Sequence, residues 1–510
     1  MRTYTSEILE QVEDILNIGI ALSAEKNHNQ LLEMIVSEAR RITGADAGTL
    51  YLCDGDHLLF KITQNDTLKS YQGGKGEPLN LPPVPMRKEN VSSYVALTHQ
   101  SVNIPDVYQA EDIDFDFSGP KNYDKISGYH TGSMLVIPLE NHEGDVIGVL
   151  QLINAKNVDG NTIPFASHFE KVISSLASQA AISLTNMQLL ADIERLFNSF
   201  VEVMATAIDS RTPYNANHTR RVALLAGELA RTIDAENEGI WAEVRFDEDR
   251  TAQLVMAGWL HDIGKISTPL SVMNKSSRIE AQLELVLQRL DYIEASLKAH
   301  YLEAKLMYLQ NGDNDSINVL DDKWQEDKDQ VDQTRELIIK VDHPATFVDK
   351  EILQKIQDVA GRTYRDQAGN EHAWLTETEL TGLSVTKGTL TDDERRIMED
   401  HVVVTERMLD KIPFTRKLKE VPFFASIHHE HLDGKGYPRG LAADEIPLEG
   451  RILALVDVFD ALTAADRPYK RAMPTDQALK ILGFMVKDGE LDGDLLKIFT
   501  EKTVWERIDD

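Results

Sequence analysis

The stretch HHEHLDGKGYPRG, residues 428–440, places three histidines within four positions and follows them with a glycine-bracketed Tyr-Pro. Imidazole is the commonest protein ligand for metals, and a hydrolytic metal site needs several histidines and carboxylates converging with positions left open for water. Four further places offer such groups: His218 in NANHTRRVA, His261-Asp262 in LHDIGKIS, His401 in IMEDHVVV and Asp457 in LALVDVFDAL. Any one alone says little, because a chain with 15 histidines holds about one His-Asp pair by chance. Their surroundings say more. His261-Asp262 follows the apolar run AQLVMAGWL and precedes Gly264-Lys265, so a helix is expected to deliver two adjacent ligands at its buried C-terminal end. Asp457 stands between Val456 and Val458 on another apolar helix, where an unpaired carboxylate is costly and a metal would neutralise it.

The elements that must position these groups divide the chain into segments. Residues 6–41 read as helix, with Ile8, Val12, Ile15 and Leu16 and then Leu31, Leu32, Ile35 and Ala39 at three-to-four spacing. The period then changes. GADAGTLYLCDGDHLLFKIT (44–63) alternates around an Asp-Gly turn, and TGSMLVIPLENHEGDVIGVLQLINA (131–155) repeats the form around Glu143-Gly144, so both read as hairpins. Helix, hairpin, loops, hairpin, helix predicts an α+β domain of roughly 150 residues.

From Phe165 to Asp209 the pattern is helical without proline or glycine. Phe169, Val172, Leu176, Ala180, Leu184, Met187, Leu190, Phe197 and Met204 step by three, four or seven, which suits a seam between two copies of the helix. The plainer alternative is a helix packed on its own domain. Beyond Arg211 an all-helical region is expected, interrupted by residues 276–387. There Ile279, Leu283, Val286, Leu290, Ile293 and Leu297 stripe one helix over 278–309, and an Asn-Gly-Asp-Asn-Asp turn (311–315) leads to a second through Trp324, Val331 and Leu337. This helical hairpin is either an arm for a protein partner or a solvated spacer or clasp.

Length and composition bound the answer. A chain of 510 residues, 42% hydrophobic, predicts two or three folded domains. No apolar run is long enough to span a membrane, there is no leader pattern, and Cys53 is the sole cysteine, which together predict a cytoplasmic protein without disulfides. A net charge of −31 argues against binding nucleic acid polymers, which requires Lys and Arg to displace phosphate counterions. It does not exclude small anionic substrates, because a metal cluster reverses the local sign of charge. Cys53, in a predicted strand, is expected to pack.

Taken jointly, HDIGK (261–265), HHEHLDGKGYP (428–438) and VDVFDALTAADRPYK (456–470), with His218 and His401 at the expected places, resemble an HD-GYP domain, a subgroup of the HD phosphohydrolases. The resemblance covers residues 200–275 and 388–485, and VMNK (272–275) with KGTLTDDERRIMEDH (387–401) reads as one segment interrupted by the insertion. It implies an all-α bundle with a di- or trinuclear metal centre, commonly iron or manganese, that hydrolyses cyclic di-GMP to pGpG or GMP. It implies His218, His261, Asp262, His401, His428, His429 and Asp457 as ligands, with Asp262 bridging the metals. Gly436, Tyr437 and Pro438 would form a stiff lip beside the substrate, the glycine permitting a tight backbone and the proline fixing it. Lys265 would hold a phosphate oxygen or the leaving group, and Arg467 and Lys470 the second phosphate. His431 has no such counterpart and is expected at the surface. Relatives with a third metal resemble one another in a glutamate four residues before the first histidine; Tyr214 stands there, so a binuclear centre is expected.

Residues 7–188 resemble a GAF domain, a small-molecule sensor module, through LLEMIVSEARRITGADAGTLYL, VNIPDVY and ISGYHTGSMLVIPL. Asn154, Lys156 and Phe165 match part of the cyclic-nucleotide signature of some GAF domains, but its acidic pair is absent, so the ligand stays open. The resulting expectation is a multidomain chain: GAF domain (1–164), signalling and dimerisation helix (165–209), catalytic HD-GYP domain (200–275 and 388–510) and helical-hairpin insertion (276–387). Its function would be a GAF-regulated, homodimeric cyclic di-GMP phosphodiesterase. The alternatives are a non-catalytic module that binds cyclic di-GMP or a partner, and a phosphodiesterase for another cyclic dinucleotide such as cyclic GMP-AMP.

Overall fold

The computed structural model describes residues 16–110, 115–211, 217–464 and 473–508. The chain separates into two compact units, residues 1–197 and 198–510.

In the first unit, helical residues 16–24 (α1) are followed by a break at 25–27. The single helix expected over 6–41 is therefore two, and its residues 6–15 lie outside the described ones. Asn27 causes the restart: its side chain accepts from the Gln30 N–H and opens α2 (His28–Thr43), as an N-cap should. α2 ends at Gly44, whose positive φ of 62° suits glycine.

The sheet contains β1 (Ala45–Asp54), β2 (His57–Asn65), β3 (Ser70–Gly73), β4 (Val84–Pro85), β5 (Val102–Ile104), β6 (Met134–Glu140), β7 (Val146–Lys156) and β8 (Thr162–Ile163). Its main order is β3-β2-β1-β7-β6-β5, with antiparallel pairing throughout. Both predicted hairpins form, and β1 pairs with β7 to join them. Alternation sorts the side chains. Leu50, Leu135, Ile137 and Leu150 face the core with α2, while Tyr51, Met134, Val136 and Val149 pack with α3 (Val91–Thr98) and Phe117, just before α4 (Ser118–Ser127).

A 43-residue helix, α5 (Ser167–Asp209), crosses the boundary between units. Leu176, Ala180 and Leu184 of the expected intermolecular seam, with Phe169 and Met187, pack into their own domain's core. Over that half the plainer reading holds. Further on, Leu189, Ile193, Leu196, Phe200 and Val203 remain exposed.

The second unit contains α6 (His218–Asp234), α7 (Glu248–Leu260), α8 (Leu270–Met273), α9 (Leu283–Asn311), α10 (Asn314–Asp342), α11 (Lys350–Ala360), α12 (Glu377–Leu383) and α13 (Asp392–Leu409). It closes with α14 (Val421–Ala425), α15 (Leu448–Thr463), α16 (Thr475–Lys487) and α17 (Gly493–Glu501). α6 packs on α7 and α15, with Val222, Leu225, Leu254, Ala257, Leu453 and Val456 buried.

Residues 276–387, expected as an inserted helical hairpin, hold more than that. α9 and α10 do form one, and Val286, Leu290 and Ile293 share a core with Val331, Ile338 and Val341. A two-stranded sheet of β9 (Thr363–Arg365) and β10 (Glu371–Ala373) follows α11, and to this core α11 adds Ile356, the segment after β10 Trp374 and Leu375, and α12 Leu383. Three-residue strands show no readable alternation, so this part escaped sequence reasoning. At the base, the fully buried Arg278 guanidinium donates to the carbonyls of Val341, His343, Thr346 and Val385. The two stems also meet: Lys275 pairs with Glu394 at 2.7 Å, and Thr389 Oγ1 donates to the Lys275 carbonyl.

Candidate metal centre

His218 opens α6; His261 caps the C-terminus of α7, and Asp262 starts the 3-10 turn Ile263–Ser267. His401 lies on α13, His428 and His429 follow α14, and Asp457 lies within α15. These seven residues, distant in sequence, converge. One ligand atom each of His401, His428 and His429 lies within 4.8 Å of the others, as does one each of His218, His261 and Asp262. Asp457 Oδ1 lies 3.1 Å from His218 Nε2 and 3.7 Å from His261 Nε2. The Asp262 carboxylate faces both groups: Oδ1 is 3.3 Å from His401 Nε2, while Oδ2 is 3.3 Å from His261 Nε2 and 3.7 Å from His218 Nε2.

The donors have the chemistry a metal requires. His261 Nε2, His401 Nε2, His428 Nε2 and Asp262 Oδ1 are buried without a hydrogen-bond partner, a cost that coordination would relieve. The Nδ1 atoms of His261, His401 and His428 meet the carbonyls of Gly258, Met398 and Ala425 at 2.7, 2.6 and 2.8 Å. A carbonyl only accepts, so each Nδ1 carries the proton and each Nε2 presents its lone pair.

Charge differs across the centre. Burial holds His429 down to about 3 and His428 well below the usual imidazole range, favouring neutral rings. His218 behaves oppositely: burial pulls its pKa down, but the Asp457 and Asp460 carboxylates raise it to about 10. Burial pushes the Asp262 carboxyl up, yet Lys265 and His261 prevail and hold it well below the usual carboxylate range. Lys265 Nζ donates to Asp262 Oδ2, so the sequence-predicted phosphate contact sits at the centre.

Two glycines have steric reasons. A Cβ on Gly264 would lie 1.9 Å from the His401 carbonyl oxygen, because the 3-10 turn packs directly on α13. A Cβ on Gly436 would lie 2.3 Å from the His431 nitrogen, where the lip folds back under Glu430. Tyr437 packs against His429 with ring centroids 4.8 Å apart, and its N–H donates to the His429 carbonyl. Pro438 follows in the same lip, and His431 is half-buried. Arg467, Lys470 and Tyr214 lie outside the described residues.

Several residues that shape the site were not singled out from the sequence. The buried Glu430 accepts from the Arg439 and Leu441 N–H groups and so ties down the lip. Asp460 accepts from His218 and Arg221. Asp209, at the end of α5, accepts from Thr219 N and Oγ1, while Arg211 donates to the Lys265 carbonyl. Asp460 and Glu430 carried a signal, standing three residues after Asp457 and one after His429. For Asp209 and Arg211 proximity depends on the turn into α6, which no local pattern gives.

In the first unit, Asn154 accepts from the Gly132 N–H and donates to Tyr129 Oη and the His130 carbonyl. Lys156 pairs with Asp46 at 2.7 Å. Both are thus engaged within the fold. Cys53 is half-buried beside the α3-side core, and burial raises its thiol pKa, consistent with packing.

The GAF domain family matches residues 27–184, and HD domain families match residues 215–305 and 378–495. A 3'3'-cGAMP-specific phosphodiesterase of Vibrio cholerae is 48% identical over 96 residues, 19% of this chain and 20% of the relative. A cyclic di-GMP phosphodiesterase response regulator of Xanthomonas campestris is 45% identical over 95 residues, 19% of this chain and 25% of the relative. A cyclic di-GMP phosphodiesterase of Vibrio cholerae is 42% identical over 102 residues, 19% and 20% of the two chains. The chain therefore spans a quarter or less of the length of these relatives. It carries a GAF domain followed by HD-domain sequence on either side of residues 306–377.

Proposed function

We propose that the second unit is a phosphodiesterase that opens cyclic di-GMP to pGpG and/or GMP at a centre of two metal ions, iron or manganese. The observation that carries this reading is the Asp262 carboxylate, whose two oxygens face two separate groups of histidine donors. When bound, such a metal pair polarises the phosphodiester and acidifies an attacking water. The chain supplies the positioning. His401, His428 and His429 hold one side, His218, His261 and Asp457 the other, and Lys265 takes a phosphate oxygen or the leaving oxygen. Tyr437, packed on His429, walls the substrate side, while Arg467 and Lys470 take the second phosphate.

A second substrate, 3'3'-cGAMP, is favoured by the relative named for it at 48% identity. Metal ligands read phosphate chemistry and not base identity. Side-by-side turnover by metal-loaded protein separates the two, with His261→Ala/Asp262→Ala as the control. Conversion of cyclic di-GMP that the control lacks supports the proposal; faster conversion of 3'3'-cGAMP moves the substrate. Conversion of neither, with a dinucleotide still bound, leaves a non-catalytic binding module.

Residues 200–275 and 388–510 form the catalytic domain in this reading, and 276–387 an insertion able to receive a protein partner. Residues 1–164 form the sensor, its ligand unidentified, and 165–209 the signalling helix. Asp209 and Arg211 support regulation, since they join the end of α5 to Thr219 and Lys265. The exposed apolar stripe from Leu189 to Val203 supports a homodimer through α5. No described helix is long and apolar enough to cross a membrane, which accords with action in the cytoplasm.

A further inference from the structure

The histidines of the centre are not oriented alike. His261, His401 and His428 each direct Nδ1 at a backbone carbonyl three residues back. His218 directs Nδ1 at a carboxylate, Asp460 Oδ2, at 2.7 Å. Arg221 holds that carboxylate through two nitrogens, with Nε 2.6 Å from Oδ1 and Nη2 3.1 Å from Oδ2.

Helix periodicity explains how this pairing arises. His218 and Arg221 are three apart on α6, and Asp457 and Asp460 are three apart on α15, so each pair shares one helix face. α6 packs on α15, and the two faces meet. His218 is gripped at both nitrogens, by Asp460 at Nδ1 and by Asp457 at 3.1 Å from Nε2. His218 and Asp460 are both buried, so water competes little for these contacts. A carboxylate at Nδ1 takes more of the shared proton than a carbonyl does, which makes Nε2 the stronger donor to a metal.

We infer that Asp460, locked by Arg221, is a positioning residue that makes the His218–His261–Asp457 side of the centre the tighter metal position. The His401–His428–His429 side, whose described Nδ1 partners are carbonyls, is the more readily exchanged one. This rests on the binuclear reading above and concerns how the two positions divide the work.

The test is stepwise Mn²⁺ binding to metal-stripped, full-length protein, read from the free ion rather than from turnover. The unaltered chain is expected to bind two equivalents. Asp460→Asn keeps size but loses charge, and is expected to weaken one equivalent by about 10–100-fold while leaving the other in place. His429→Ala should weaken the opposite, looser equivalent. Arg221→Lys keeps a cation but loses the two-pronged grip, and should weaken the same equivalent as Asp460→Asn by about tenfold; it also serves if Asp460→Asn does not fold. Unchanged binding by the folded Asp460 and Arg221 variants, or equal weakening of both equivalents, overturns the inference. An unaltered chain that binds no Mn²⁺, Fe²⁺ or Zn²⁺ overturns the binuclear reading instead.

Discussion

At the scale of residues, the centre depends on close approaches as much as on ligands. Gly264 has no room for a Cβ beside the His401 carbonyl, at 1.9 Å, so Gly264→Ala must push the turn carrying Asp262 away from α13. The expected outcome is loss of bound metal together with a lower unfolding midpoint for the second unit; metal content equal to the unaltered chain would contradict it. Glu430 gives a different result. Glu430→Ala leaves the Arg439 and Leu441 N–H groups without this acceptor, at about 0.5–1.5 kcal/mol for each hydrogen bond lost. Thermal unfolding should show that loss and KM should rise, while metal stoichiometry is kept. The candidate ligands stood out jointly, through the HD-GYP motifs that hold them, and only His261-Asp262 and Asp457 also through their apolar contexts. Asp460 and Glu430 were harder, since a carboxylate that orients another residue has no composition of its own.

At the scale of elements, strong periodicity was readable and short pieces were not. The hairpins β1–β2 and β6–β7, α5, and the pair α9–α10 all followed from alternation or three-to-four spacing. The break at residues 25–27 was missed because the helical spacings that end at Leu16 and resume at Leu31 were joined across the polar stretch SAEKNHNQ (23–30), where the capping side chain of Asn27 decides the geometry. α5 shows a second limit: its apolar residues serve their own domain's core as far as Met187, and beyond it Leu189, Ile193, Leu196, Phe200 and Val203 are exposed while Val201, Ala205 and Ile208 are buried, and spacing alone cannot tell these apart. In the insertion, Arg289 pairs with the buried Glu379 at 2.7 Å. Burial raises the Glu379 pKa, but Arg289 and the Thr376 N–H hold it below its usual 4.5. A folded pKa below the unfolded one means the contribution is complete above the unfolded value and is lost as pH falls through the folded value. Arg289→Ala should therefore lower the unfolding midpoint at neutral pH, and the gap from the unaltered chain should narrow as the pH falls below the usual glutamate range, leaving the part due to the Arg289 bond to the Trp374 carbonyl. A gap that did not change with pH would contradict the ion-pair account.

At the scale of the whole molecule, the stems of the insertion meet through Lys275, Thr389 and Glu394, and the insertion has a core of its own. Replacing residues 277–387 with a short glycine linker should therefore leave metal binding intact; loss of metal from a folded product would place the insertion in the centre. The GAF and HD regions were legible through motifs spread along each of them, and the helix between them through its periodicity. How α5 reaches the centre was not legible, since Asp209 and Arg211 act through contacts formed only when the chain turns into α6. The central claim is that Asp262 would serve both halves of a two-metal centre. The direct test counts metal in anaerobically purified full-length chain and in Asp262→Ala, alongside conversion of cyclic di-GMP. The account predicts about two iron or manganese ions per chain with conversion to pGpG or GMP, and loss of both on substitution. Full conversion by Asp262→Ala, or by a chain stripped of metal, would contradict it.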